Sequence, residues 1–163
     1  MSCYLIGFMM IRRVEDMNYT DFMKEVELTK KKNPFLFKLE HDDVASELDI
    51  NESEKYYGIS FSESYKSVLM NLGGGYFGYI VLYSLDKSGL FYLQDYVSIS
   101  MIEEFGMLPV IDLETGDYIG FDIENNKCTE NLVTWIHEEK NKAKIDFDFY
   151  ELLINMGLKN QLL

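Results

Sequence analysis

The sequence predicts an α+β fold: an antiparallel or mixed sheet meander with helices from the N-terminal half and the C-terminus packed on it. Three observations predict it. Tyr65, Val68, Leu69 and Leu72 recur at i, i+3, i+4 and i+7, the spacing of a helix with one buried stripe. After Gly73 the apolar residues follow a period of two or run continuously, broken by short turns rich in Gly, Asp and Asn. Strands joined by short turns are antiparallel neighbours, and helical patterns on both sides of them give the α+β order.

Each element has its own justification. Phe22, Val26 and Thr29 mark a helix over about residues 20–31, which Asn18 or Thr20 could cap and which ends in Lys30-Lys31-Lys32 before Asn33-Pro34. Phe35 to Leu39 reads as a short strand and His41 to Leu48 as an acidic linker or irregular turn. Glu52 to Tyr57 reads as a short helix stopped by Gly58, because glycine is the usual residue just past a helix end. Ser62 caps the striped helix and Gly73 ends it. Tyr76 to Leu85 is then expected as one strand, Asp86 to Gly89 as its turn, and Leu90 to Leu93 as the partner strand. Ser98 to Phe105 suits a short helix. Leu108 to Leu113 and Tyr118 to Ile123 form a hairpin across Glu114-Thr115-Gly116-Asp117, and Asn125-Asn126-Lys127 turns the chain into a strand from Cys128 to His137. The charged stretch Glu138 to Lys144 reads as a loop. Asp146 or Asp148 caps a last helix, with Phe149/Leu153 and Tyr150/Ile154 as i,i+4 pairs and Gly157 as its stop.

The organisation is simple. The 163 residues match the size of one domain, since domains usually run to roughly 100–200 residues. We expect residues 17–163 to form a single domain, and residues 1–16 to be a loose extension or a misassigned translation start. The apolar run Tyr4 to Ile11 is too short to cross a membrane, and Arg12 and Arg13 follow it, where a signal peptide carries its positive charge first.

Composition limits the function classes. There are 28 acids against 15 bases, a net charge of −13, with 47% hydrophobic residues. That apolar content excludes intrinsic disorder. The acidic excess argues against sequence-independent nucleic-acid binding and against an anionic membrane surface, both of which need Lys and Arg. A basic protein surface would be attracted. The charge is uneven, with six acids and seven bases over residues 1–40 but fourteen acids and five bases over residues 91–163. Two cysteines, Cys3 and Cys128, make no disulfide framework and point to a reducing cytoplasm.

The segments that resemble chemical motifs fail on context. Gly73-Gly74-Gly75-Tyr76-Phe77-Gly78 satisfies G-x-G-x-x-G, but the helix comes before it and the strand after, the reverse of a dinucleotide site. A glycine helix cap with tight entry into a strand explains it better. His137-Glu138 has no second histidine four residues on, where Asn141 stands, so no zinc motif forms. Asp112-Leu113-Glu114-Thr115-Gly116-Asp117 is similar to a calcium loop, but the twelfth position is Ile123 rather than Glu. The residues therefore call for no catalytic group, no metal and no cofactor.

The ordered features resemble a known family. Tyr56-Tyr57-Gly58-Ile59-Ser60-Phe61-Ser62-Glu63-Ser64-Tyr65-Lys66, running on through Val68-Leu69 to Gly73-Gly74-Gly75, is similar to the first signature of the SUKH superfamily, which includes the Smi/Knr cell-wall-regulator domain. Leu108-Pro109-Val110-Ile111 with Thr115-Gly116-Asp117-Tyr118 resembles its second signature, Trp135-Ile136-His137-Glu138-Glu139 its W-x-H-E strand, and Phe147 to Ile154 its closing helix. The likeness spans roughly residues 48–157, with Ser60-Phe61 in place of Leu-Pro and Leu72 where Asn usually precedes the glycines. It implies structural roles for Gly58, Tyr65, Gly73, Gly74, Gly75, Gly116, Asp117 and Trp135. It further implies an α+β fold without catalysis and, for bacterial members, an immunity protein that neutralises a polymorphic toxin, often a nuclease. The charge asymmetry singles out Asp112, Glu114, Asp117, Glu124, Glu138 and Glu139 as contacts to a cognate toxin with a basic surface. Two other readings stay open: a scaffold or regulatory protein-binding module, and a small-molecule site beside Gly73 to Gly75.

Overall fold

A computed structural model describes residues 16–161. The expected extension over residues 1–16 therefore lies, but for Asp16, outside the described residues. Helix α1 (Tyr19–Lys32) begins at Asn18, whose side-chain oxygen accepts the Asp21 N–H, so Asn18 and not Thr20 is the cap. Its buried residues are Phe22 and Val26. The strand expected at Phe35 to Leu39 is instead a short 3-10 helix, Pro34–Phe37. Pro34 suits a first helical position, where its missing N–H would have no partner anyway.

Helix α2 (Glu47–Tyr57) starts earlier than Glu52 because Ser46 and Asp49 cap each other reciprocally. It stops at Gly58, which is left-handed at φ 67°. Helix α3 (Glu63–Asn71) is capped by Ser62 and buries Tyr65, Val68 and Leu69. Three glycines follow because chain segments meet there. A Cβ on Gly73 would lie 2.4 Å from the Asp42 carbonyl oxygen, one on Gly74 2.6 Å from Ser84, and one on Gly75 2.6 Å from the His41 Cα.

The expected strand Tyr76 to Leu85 is two strands, β1 (Gly75–Phe77) and β2 (Ile80–Leu82), paired antiparallel. Gly78, at φ 59°, turns the chain between them, a conformation side-chain-bearing residues resist. Leu90 to Leu93 is not a strand either. Only an isolated Ser84–Tyr92 bridge forms, and α4 (Leu93–Tyr96) takes up the end of the segment. The reason is Asp42, whose carboxylate accepts the Leu90 and Phe91 N–H groups that a strand partner would have taken.

Helix α5 (Ile99–Phe105), capped by Ser98, leads into β3 (Met107–Asp112), β4 (Tyr118–Glu124) and β5 (Lys127–Ile136). The stretch expected as a loop, Glu138 to Lys144, contains a further strand, β6 (Asn141–Lys144). An edge strand exposed along its whole length carries no apolar alternation to reveal it, and its lysines discourage pairing with another chain. The sheet runs β1-β2-β3-β4-β5-β6 and every ladder is antiparallel.

Asp148, rather than Asp146, caps α6 (Phe149–Leu152), through a reciprocal box with Glu151. Gly157 does not stop the chain's last helix, which widens into a π-helical turn over Leu153–Leu158. One sheet face packs on these helices through Tyr65, Phe121 and Phe149, with ring centroids of Phe121 and Phe149 5.0 Å apart. The Tyr65 hydroxyl, sealed in this core, donates to the Tyr83 carbonyl at 2.8 Å. A smaller cluster of Met107, Val133 and Trp135 is separate from that core, and the Phe105 ring of α5 covers it, stacked on Trp135 at 4.2 Å.

Candidate partner-binding surface

In a meander successive turns alternate between the two ends of the sheet. The β1–β2 turn at Gly78-Tyr79, the β3–β4 turn over residues 113–117 and the β5–β6 turn over residues 137–140 therefore share one end. Asp112, Glu114, Asp117, Glu138 and Glu139 all lie there. Glu124 does not: it enters the β4–β5 turn at Asn125-Asn126, at the opposite end beside the start of α3.

The β3–β4 turn is built by its own side chains. Asp112 Oδ1 accepts the Glu114 N–H at 2.7 Å, and Gly116 takes φ 89°. A Cβ on Gly116 would meet only ordinary contacts with His137, so the backbone angle rather than space requires glycine. Asp117 Oδ1 then accepts the His137 N–H at 2.8 Å, tying this turn to the next. Asp112 Oδ2 accepts from the Tyr83 hydroxyl at 3.0 Å. Burial, then the negative charge of Asp112, push the Tyr83 hydroxyl well above its ordinary value, so it remains a donor at physiological pH. Burial and the same aspartate raise the Tyr118 hydroxyl too.

The acids thus divide into two kinds. Asp112 and Asp117 shape the turns, whereas Glu114, Glu138 and Glu139 stand exposed with no hydrogen bond or ion pair from their carboxylates among the described residues. Three exposed carboxylates with no ion pair among the described residues therefore stand at this end, with Lys140 in the same β5–β6 turn.

Of the residues singled out from the family resemblance, Gly116 and Asp117 lie in this turn, whereas Gly58, Tyr65, Gly73, Gly74, Gly75 and Trp135 lie away from it in the frame. Gly73 to Gly75 line a cavity of about 120 Å³ with Val26, Phe37 and Leu82. Cavities that take drug-sized ligands run to about 300–1,000 Å³, so this one is small for the small-molecule reading. His41 lies beside it and His137 at the acidic end, and no group of three His, Cys, Asp or Glu residues is placed to hold a metal among the described residues.

Sequence reasoning missed Asp42. Its buried carboxylate, 5% exposed, accepts from Ser84 Oγ at 2.5 Å, Leu90 N–H at 2.9 Å and Phe91 N–H at 2.8 Å, pinning the loop after β2. An aspartate in an acidic linker carries no local mark of burial. Tyr76 and Tyr79 were absorbed into the apolar run, yet both stand exposed at the acidic end. The Gly78 turn between them was the available signal.

The architecture is a six-stranded antiparallel meander with its main core under the helices of one face and the smaller Trp135 cluster covered by α5. The family model described as SMI1-KNR4 cell-wall, SUKH_6, matches residues 47–153, more than half of the chain. The chain belongs to this SUKH family. No curated protein matches it. The match runs from the first residue of α2 into the π-helical turn, so it covers the whole sheet. No described helix is long and apolar enough to cross a membrane.

Proposed function

We propose that the chain is a non-catalytic immunity protein that binds and neutralises a bacterial polymorphic toxin, a nuclease in the favoured case, in the cytoplasm. The observation that carries this reading is the convergence of five acidic residues on one end of the sheet in a SUKH domain of net charge −13. A nuclease cleft is basic because it must hold phosphates, and a negative surface is steered to it and competes for the same ground. The same charge disfavours nucleic acid and anionic membranes as partners. Glu124, at the far end, falls outside this contact surface.

The test is co-expression with the toxin domain encoded beside this gene, followed by a pull-down. Rescue of growth with a stable complex is expected. The informative variant reverses Glu114, Glu138 and Glu139 to Lys, because these three, unlike Asp112 and Asp117, can change sign without losing a turn hydrogen bond. Its association at low salt should slow by about tenfold or more. An unchanged on-rate would remove the acidic end from the interface. No rescue and no complex, with both proteins folded, would favour the scaffold or regulatory binding module instead.

A further inference from the structure

Between the β1–β2 and β3–β4 turns lies a groove of about 170 Å³, lined by Tyr76, Tyr79, Asp112, Leu113, Glu114 and Asn160 among others. We infer that this groove seats a single arginine side chain of the protein partner. The inference rests on the immunity reading for the partner's identity, but its chemistry stands on the groove itself.

Four features select that occupant. First, the lining holds two carboxylates and no Lys, Arg or His, so an entering cation meets no competing charge. Second, Tyr76 and Tyr79, 38% and 54% exposed, are among the lining residues and bring aromatic rings that attract a planar cation. Third, the Asp112 carboxylate is fixed by the Tyr83 hydroxyl and the Glu114 N–H, so it needs no reorganisation on binding. Fourth, Tyr79 is anchored through its N–H to the Gly157 carbonyl at 2.8 Å, which holds the wall in place. An apolar side chain would leave the Glu114 carboxylate, which has no partner among the described residues, unpaired beside it. A lysine ammonium would satisfy charge but could not stack as a plane, and it lacks the fixed planar fork that meets a carboxylate side by side.

The experiment is an amide-spectrum titration of the full chain with N-acetyl-arginine amide, with N-acetyl-citrulline amide as the neutral isostere. Arginine should shift the amides of residues 76–81 and 112–114 and saturate at millimolar concentrations, the affinity scale of one side chain. Citrulline should not. Tyr79→Ala and Glu114→Gln, both at exposed positions, should each weaken arginine by about threefold or more while leaving the rest of the spectrum in place. No arginine shifts, equal shifts with citrulline, shifts centred elsewhere, or two unaffected variants would each overturn the inference. The groove and the immunity reading fail separately. Arginine binding without toxin capture keeps the groove and removes the reading, and toxin capture by a groove that ignores arginine does the reverse.

Discussion

A Cβ added to Gly78 would lie 2.0 Å from the carbonyl oxygen of Gly157. The contact is close on both sides, since a Cβ on Gly157 would lie 2.8 Å from the Phe77 carbonyl oxygen. The π-helical turn presents the Gly157 carbonyl to the β1–β2 turn, where the Tyr79 N–H takes it. Two glycines far apart in sequence thus lock the first hairpin to the C-terminal helix.

Substitution separates this contact from backbone strain alone. Gly58 and Gly78 are both left-handed, at φ 67° and 59°, but nothing lies within 4 Å of a Cβ on Gly58. Gly58→Ala should cost about 1 kcal/mol, the strain of the angle. Gly78→Ala should cost about 3 kcal/mol or more, since overpacking adds to that strain. Urea unfolding of both variants measures the difference. Equal losses would mean that the hairpin yields without cost.

Asp42 should behave as a structural residue. Asp42→Ala leaves the Leu90 and Phe91 N–H groups and the Ser84 hydroxyl without their acceptor. We expect a loss of about 3 kcal/mol in chemical denaturation, against about 1 kcal/mol for Ser84→Ala. Amide exchange at Leu90 and Phe91 should accelerate in the aspartate variant.

Stability should fall in acid. The Ser46 hydroxyl holds the Asp49 carboxyl below the usual range, and the Ser88 hydroxyl does the same for Asp86. A carboxyl with a depressed folded pKa contributes stability above its unfolded value, near 4, and loses it as the pH drops through the folded value. Unfolding midpoints should therefore decline below pH ~4. Ser46→Ala should flatten that decline, and an unaltered profile would deny the cap its part in it.

Cys128 should be inert while the chain is folded. It is buried, and that burial pushes its thiol up to about 12. In a Cys3→Ser variant, iodoacetamide near pH ~8 should label the chain in urea but not in buffer, read by intact mass. The thiol's stabilising contribution is complete below its unfolded value near 8.5 and is lost as pH rises from there toward about 12.

Trp135 is the only tryptophan, so it reports on the small cluster beneath Phe105. Phe105→Ala removes the ring stacked at 4.2 Å and should shift the emission to the red by admitting water. The melting temperature should fall only modestly, because the main core is a separate cluster. An unshifted emission would mean that another side chain seals the site.

The legible parts of the fold are those whose cause is local. The stripe of α3 carries its own periodicity, and Gly116 and the Asn125-Asn126 pair carry their own turn chemistry. The missed parts have distant causes. The split of β1 from β2 is held by Gly157, and the failed strand at Leu90 by the carboxylate of Asp42. Strand β6 lacks an inward apolar face, so nothing in its composition distinguishes it from a loop. The acidic residues were visible as charge, but their grouping follows from strand order. That order places Asp112 with Glu138 and sends Glu124 to the other end.

The turns at the acidic end project beyond the ladders, while Tyr65, Phe121 and Phe149 sit in the main core. The three turns differ in what they carry: Glu114, Glu138 and Glu139 hold no turn hydrogen bond with their carboxylates, whereas Gly78, Asp112, Gly116 and Asp117 set the turn geometry. Part of the negative charge at this end is therefore independent of the turn geometry. Those three glutamates could vary while the turns and the core keep their shape.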